Sequence, residues 1–230
     1  MNMSNRMDKE RKMSVTKEDI AKDQLVTAED EGPREYIVAV GLPKGWIYQE
    51  ETHKLMGVIR IGGHLLDSLT PKAYTVWTKC LTPVIAAGNT AERMSSILGR
   101  YPKDCQLALD ELFSRRCVAR LQLGSRLSPE ISDLKPIPSG YGSGNSSLTP
   151  EKYCVSGDSH APVLLDVIGQ ALWSLMDGNL TLGEIAAEAT EWLDIAPGLV
   201  EMGLIYTTVE LMKGRCLYLD RTRRISGLRN

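Results

Sequence analysis

The stretch from Leu164 to Ala189, LLDVIGQALWSLMDGNLTLGEIAAEA, constrains the fold more than any other part of the chain. Its first half repeats apolar residues with the period of a helix and starts at Asp166, a typical N-cap. Asp177-Gly178 ends this helix, and Thr181 with Glu184 forms the capping box of a second helix. Two short helices joined by a tight turn cannot bury both apolar faces alone. The stretch therefore predicts a helix-turn-helix packed on a third element, as in a winged-helix domain. The apolar face predicted for the second helix carries Ile185, Ala189, Trp192 and Leu193.

The composition is that of a globular protein without a membrane span. Of the 230 residues, 43% are hydrophobic, which is enough for one or two domains with cores of their own. No apolar run approaches the roughly 20 residues of a membrane span, and the charged N-terminus lacks the apolar region of a signal peptide. We therefore expect a cytoplasmic protein with no membrane partner. The five cysteines are scattered, which favours free thiols over disulfides or a zinc site.

Residues 1–34 are polar and highly charged, which predicts a flexible N-terminal segment. From Tyr36 onwards three short β-prone runs follow one another: YIVAVGL, GWIYQE and LMGVIRI. Runs of this kind, separated by turn-forming residues, predict a small antiparallel sheet.

Helices follow the predicted sheet. Thr70-Pro71 is an N-cap followed by a proline at the first helical position, and helical spacing of apolar residues continues to Leu81. A second helix is predicted from Thr90 and a third from Tyr101-Pro102. The run from Cys117 to Leu123 then predicts a strand in the position of a wing.

Residues 124–150 are dense in Gly, Ser and Pro, which predicts a linker between two domains. Its glycines are not expected to form a phosphate-binding loop, because the sequence predicts no strand before them and no Gly-Lys-Ser/Thr is present. The predicted organisation is a flexible segment 1–34, a first domain 35–123, the linker 124–150, a second domain 151–220 and a basic tail 221–230.

The two predicted domains look like copies of one another. ELFSRRCV at residues 111–118 matches ELMKGRCL at residues 210–217, with Glu, Leu, Arg and Cys in identical places. Trp77 corresponds to Trp173 at a different offset because the connections differ in length, and the second copy places DIAPGLVEMG between its second and third helices. Matching helical patterns with a shared ending favour a tandem repeat.

The second copy resembles the PqqD-like family. Family members carry a helix with a glycine and a large apolar residue, then an Asp-Gly turn and a Thr-x-x-Glu-Ile helix. These features correspond here to Gly169, Trp173, Asp177-Gly178 and Thr181-x-x-Glu184-Ile185. The first copy fits more loosely, with Ala73 at the glycine position and no Asp-Gly turn before the second helix.

The resemblance implies a three-stranded sheet packed on three helices and a role in recognising the leader of a ribosomally made peptide. In the family the peptide is captured as an added strand at the sheet edge beside the third helix, where edge amides and carbonyls are unpaired. Family members are usually single domains or are fused to a modifying enzyme, whereas this chain has two copies and no recognisable enzyme. The candidate peptide-binding residues lie on predicted strands and on the third helix: Trp46, Tyr48, Leu109, Phe113, Val163 and Leu165.

The two copies carry opposite charge. Residues 52–126 hold eleven Lys or Arg against five Asp or Glu, whereas residues 151–220 hold three against eleven. The basic first copy is compatible with phosphate contact, so a DNA-binding transcriptional regulator is the alternative function, although its third helix also carries three acidic residues. The acidic second copy suits a basic partner or the first copy of another chain, which leaves a homodimer open. The candidate DNA-binding residues are Lys103, Gln106, Arg115, Arg116 and Arg120.

No catalytic or metal-binding constellation is recognisable in the sequence. None of the three histidines stands at ligand spacing from Cys, Asp or Glu, and no serine lies in a nucleophile motif. We therefore expect neither enzymatic activity nor a cofactor. The sequence predicts an α+β fold of two tandem winged-helix domains, each with three helices on a small antiparallel sheet. The predicted function is that of a peptide- or protein-recognition adaptor, with a DNA-binding regulator or a scaffold component as alternatives.

Overall fold

The computed structural model describes residues 34–86, 90–158 and 161–221, and only the backbone of residues 64–68. The expectations for the flexible segment 1–33 and for tail residues 222–230 lie outside the described residues. Over the described ranges the fold is mixed α+β with small antiparallel sheets. No helix in these ranges is both long and apolar enough to cross a bilayer.

The first half of the described chain forms unit 1. Its elements are β1 (Glu35–Ala39), β2 (Leu42–Gln49), β3 (Lys54–Ile61), β4 (His64–Leu69), α1 (Pro71–Lys79), β5 (Val84–Ile85), α2 (Thr90–Leu98), α3 (Pro102–Ser114) and β6 (Val118–Gln122). The three predicted helices form where the sequence signals place them. Thr70 Oγ1 accepts the N–H of Ala73 at 3.2 Å, and Pro71 and Pro102 occupy the first turns of α1 and α3.

Unit 2 is the second half. Its elements are α4 (Pro129–Ser132), β7 (Leu134–Pro138), β8 (Tyr141–Asn145), β9 (Tyr153–Ser156), β10 (Val163–Leu165), α5 (Val167–Leu175), α6 (Leu182–Leu193), α7 (Pro197–Lys213) and β11 (Leu217–Arg221). Asp166 Oδ1 accepts the N–H of Gly169 at 2.7 Å, and Thr181 and Glu184 form the reciprocal capping box. Helix α7 begins at Pro197, so most of DIAPGLVEMG belongs to its first turns and does not connect two helices.

The strands of unit 1 pair differently from the prediction. β1 lies between β5 and β6 in one sheet, whereas β2, β3 and β4 form a separate meander. The prediction of one sheet from the three runs after Tyr36 is therefore wrong. β1 does not pair with the next strand in the sequence, β2, because it pairs with β6, which lies far along the chain, after α3. No local pattern in the sequence specifies such a partner.

The segment 124–150 is not a free linker. It contains α4, β7 and β8, and both Ile131 and Leu134 are buried in the core. Ser139 N–H donates to the carbonyl of Cys216 at 2.9 Å, so the odd-numbered residues of β7 exchange hydrogen bonds with β11. Pro136 and Pro138 fall on the alternate positions, which face away from β11 and need no N–H there.

Apart from α4 and β5, which have no counterpart in the other unit, units 1 and 2 share their element order and the register between their first and last strands. β1 pairs with β6 from Glu35 opposite Gln122 to Ala39 opposite Val118. β7 pairs with β11 from Leu134 opposite Arg221 to Pro138 opposite Leu217, so each pair recurs 99 residues later. A three-stranded meander follows the first strand in both units.

The repeated ending ELxxxRC has the same conformation in both units. Arg116 and Arg215 are left-handed, with φ of 55° and 54°. The next N–H reaches back to the helix: Cys117 donates to the carbonyl of Leu112 at 2.9 Å, and Cys216 to that of Leu211 at 2.8 Å. This is the Schellman arrangement for ending a helix, and it buries both cysteines.

The two units share a core across the sheet of β1 and β6. One face of this sheet, which includes Ile37 and Ala39, packs on the helices of unit 1. The other face, which includes Val38 and Leu121, joins the cluster formed by α5, α6 and α7. Val40 also bridges to Leu219 of β11. The sheet of unit 1 is therefore covered on both sides by apolar residues.

Candidate peptide-binding groove

A groove runs along the outer edge of β6. Its volume is about 500 Å³. Phe113 and Arg116, at the end of α3, line one side, and residues of the segment 125–131 with Arg221 line the other. The groove therefore lies at a sheet edge, beside the third helix of unit 1 and next to the boundary with unit 2.

The backbone of β6 presents hydrogen-bonding groups to this groove. Leu123 N–H donates to the carbonyl of Arg34 at 2.9 Å, and Val40 N–H donates to that of Cys117 at 2.8 Å. The odd-numbered residues from 117 to 123 therefore exchange hydrogen bonds with β1, and the alternate residues point outward. These are Val118, Arg120 and Gln122, which all line the groove. The carbonyl of Gln122 already accepts hydrogen bonds from the N–H and the hydroxyl of Ser125, so the open part of the edge ends before it. No strand within the described ranges pairs with this edge of β6.

Arg120 is held in place by two contacts. Its guanidinium carbon lies 4.7 Å from the centre of the Phe113 ring, and its Nη1 lies 2.9 Å from Oε1 of Glu35. Because both groups of the ion pair are substantially exposed, the pair adds little stability. It does orient the guanidinium along the wall of the groove.

Three further arginines line the groove from other parts of the chain: Arg116, Arg126 and Arg221. Arg221 Nε donates to the carbonyl of Arg116 at 3.2 Å. Burial and the neighbouring charge of Arg116 lower the pKa of Arg221, while the carboxylates of Glu130 and Asp133 oppose this shift. Arg126 packs against Gly198 at the start of α7. The groove thus combines four guanidinium groups with the carboxylates of Glu35 and Glu130.

This arrangement suits an extended acidic segment. The part of β6 from Val118 to Leu121 spans about 14 Å, so a ligand strand of about four residues fits against the edge. Guanidinium groups bind carboxylates through paired hydrogen bonds, and their attraction is stronger in a partly desolvated groove than on an open surface.

The sequence-predicted peptide contacts are spread over several surfaces. Phe113 lines the groove, and Trp46 and Tyr48 are exposed on β2, away from it. Leu109 and Leu165 are only 3% and 4% exposed, because each points into the core of its own unit. Val163 is partly buried on β10, against Gly214 at the end of α7.

The predicted DNA contacts divide between the two ends of α3. Lys103 and Gln106 are exposed in its first turns, where Gln106 Nε2 donates to Asp110 Oδ1 at 2.7 Å. Arg115, at the other end, lies 3.8 Å from Glu111. Arg116 and Arg120 line the groove. The five residues therefore do not form one continuous surface.

Arg126 belongs to the basic region 52–126 that the sequence singles out for phosphate contact, whereas Arg221 is missed as a groove residue. Arg221 lies in the segment that the sequence assigns to a tail, and only the pairing of β11 with β7 brings it to this place. The one signal for it in the sequence is its charge. Within the described part of the chain, no group of three or more His, Cys, Asp or Glu residues could hold a metal ion.

Comparison with protein-family models, with curated proteins and with solved structures finds no match to this chain.

Proposed function

We propose that the protein is a non-enzymatic adaptor that captures an extended acidic peptide segment as an added strand on β6. The observation that carries this proposal is the outer edge of β6, which meets the groove lined by Phe113 and four arginines. Backbone pairing would supply affinity and the arginines would supply selectivity for acidic side chains.

Each unit is proposed to be a variant of the winged-helix domain. Three described helices follow a strand meander in both units, and a strand after the third helix pairs with the first strand of the unit. Together with the resemblance to the PqqD-like family, this order supports a precursor peptide as the ligand, presented to a separate modifying enzyme. The acidic unit 2 would then act as the contact with that enzyme.

Pairing at β6 is tested by comparing Arg120→Pro with Arg120→Ala. Residue 120 points its N–H outward, so proline there removes a hydrogen-bond donor for the ligand and leaves the ladder to β1 intact. Both variants lose the guanidinium and its ion pair with Glu35. Any extra loss in the proline variant therefore reports backbone pairing.

The measurement is fluorescence anisotropy with labelled peptides encoded beside the gene. We expect micromolar binding to at least one acidic peptide, a several-fold loss for Arg120→Ala and at least about a tenfold further loss for Arg120→Pro. Equal affinities of the two variants would exclude strand addition at this edge, and no micromolar binding to any of the peptides would exclude the adaptor function.

The second candidate, a DNA-binding regulator, rests on the exposed cations of unit 1. It predicts binding to the protein's own promoter that weakens steeply with salt and is lost in the double variant Arg115→Glu plus Arg116→Glu. Gel retardation at several salt concentrations measures this. A flat salt response would remove the candidate.

A further inference from the structure

Trp192 is on the surface, although the helical period of α6 predicts that it faces the core. Its side chain is 60% exposed, while Ile185, Ala189 and Leu193 of the same helix are buried. Trp192 lies in the last turn of α6, at the edge of the buried stripe that Ile185, Ala189 and Leu193 form. An exposed tryptophan gives up a large apolar area to water, which makes it a candidate contact for a partner.

The surroundings of Trp192 form a shallow, acidic depression. Ser174 and Leu175 of α5 and Glu188, Glu191 and Trp192 of α6 line a depression of about 480 Å³. Glu188 lies one helical turn before Trp192, on the same face. Within the described ranges neither glutamate forms a salt bridge. These five residues are called the acidic Trp192 surface.

Unit 1 exposes a surface of the opposite character. Tyr101, between α2 and α3, is 80% exposed, and Ile97 of α2 is 50% exposed. Arg93, one turn before Ile97, and Arg100 and Lys103 around Tyr101 are all exposed. These five residues are called the basic corner. It presents an aromatic and an aliphatic side chain among three cations.

We infer that the basic corner of one copy docks on the acidic Trp192 surface of a second copy. The charges are opposite, and both surfaces carry large apolar side chains that are exposed in the single chain. An arginine placed over the indole face of Trp192 gains a cation–π contact, and Glu188 and Glu191 pair with the other cations. Because each copy carries both surfaces, the proposed dimer makes this contact twice, once in each direction, which leaves neither surface free to add a third copy.

Sedimentation velocity on the full-length protein, from about 1 µM to about 200 µM, measures the association. We expect a monomer–dimer equilibrium that weakens as NaCl rises from about 50 mM to about 500 mM. Trp192→Ala is expected to weaken dimerisation at least about 30-fold, as for a central interface tryptophan. Tyr141→Ala, which removes an equally exposed aromatic from β8, is the matched control and leaves the dimer unchanged.

Charge reversal identifies both partners in the contact. The variant Glu188→Lys plus Glu191→Lys and the variant Arg93→Glu, Arg100→Glu and Lys103→Glu should each be monomeric. Mixed in equal amounts they should form a heterodimer, because every cation again faces a carboxylate. The control Glu50→Lys plus Glu51→Lys changes the net charge as much as the Glu188/Glu191 variant does, at exposed residues elsewhere, and should dimerise normally.

Three outcomes overturn the inference. The first is a wild-type protein that is monomeric at every concentration, whether or not its basic corner binds DNA in gel retardation. The second is a dimer that withstands both charge reversals. The third is a mixture of the two reversed variants that stays monomeric while their circular dichroism matches that of the wild type.

Discussion

Arg116 and Arg215 occupy equivalent positions where a glycine would be the usual residue. A non-glycine side chain in the left-handed region costs roughly 1 kcal/mol, and both helices α3 and α7 end with this cost. The side chain of Arg116 contributes to the candidate site, because it lines the groove beside Arg221. At residue 215 the backbone carbonyl accepts the hydroxyl of Ser139 at 3.1 Å, and the side chain is exposed. Only the first arginine is therefore tied to the candidate site.

Replacing Arg215 by glycine should stabilise the protein. Arg215→Gly removes the left-handed strain, and part of the gain is offset because glycine gives the unfolded chain more freedom. We expect the free energy of unfolding in urea to rise by about 0.5 kcal/mol. Arg215→Ala keeps the strain and loses the same side chain, so it should show no rise. An equal rise in the free energy of unfolding for both variants would mean that the gain comes from removing the arginine side chain, not from relieving the left-handed strain.

The cysteines differ in burial, so we expect their thiols to differ in reactivity. Burial raises the pKa of Cys80 to about 12 and that of Cys117 to about 11, whereas Cys154 is partly exposed. A raised pKa means that almost none of these two thiols is ionised at pH 8, and the thiolate is the reactive form. In the native protein at pH 8 we expect Cys154 to react first with a disulfide reagent.

The thiol assignment is measured by following colour release with time. Cys154→Ser should abolish the fast phase, and Cys80 and Cys117 should react only in denaturant. A fast phase that survives in Cys154→Ser would mean that a second thiol opens to solvent in the native state.

At the scale of elements, local signals in the sequence predict where helices begin, but they do not predict which strands pair with one another. The caps at Thr70, Asp166 and Thr181 form as predicted, because a cap depends on residues within one turn. The pairings of β1 with β6 and of β7 with β11 depend on residues far along the chain. For the same reason Phe113, Arg116 and Arg120 could be named as site residues, but not Arg221, which only tertiary packing brings to them.

The amphipathic pattern of the sequence does not predict where helix α7 begins. The helix is buried on more than half of its circumference, with Leu204, Ile205, Thr207 and Val209 all inaccessible, because it packs on α5 and α6 and also against β6 of unit 1. A helix that is buried all round has no polar stripe, so the amphipathic period is absent. Only Pro197 at its first turn marks the beginning.

Thr208 tests this burial. Its Oγ1 is buried and has no hydrogen-bond partner among the described residues. An unpaired buried hydroxyl is destabilising, so Thr208→Val should raise the free energy of unfolding by about 1 kcal/mol. Thr208→Ala removes the same hydroxyl and also a methyl group, which leaves a cavity, and it should be less stable than Thr208→Val. A loss of stability in Thr208→Val would show that the hydroxyl has a partner, such as a buried water.

At the scale of the molecule, the sheet of β1 and β6 joins the two units. Its residues alternate between the core of unit 1 and the core around α7, as in Ile37 and Val38. Neither unit can separate from the other without exposing one face of this sheet to water. The opposite charges of the two halves are thus carried by one body, which holds the groove and the acidic Trp192 surface at fixed positions.

The shared core predicts that both units unfold together. Leu121 is fully buried on the side of β6 that faces unit 2, so Leu121→Ala should lower the free energy of unfolding by about 3 kcal/mol. In hydrogen exchange, the most protected amides of α3 in unit 1 and of α7 in unit 2 should lose protection by the same amount, because both exchange through one global opening. Leu107→Ala, at an exposed position of α3, should change neither. If Leu121→Ala lowered protection in only one unit, or if urea unfolding gave two separate transitions, the units would be independent domains, as the linker prediction implied.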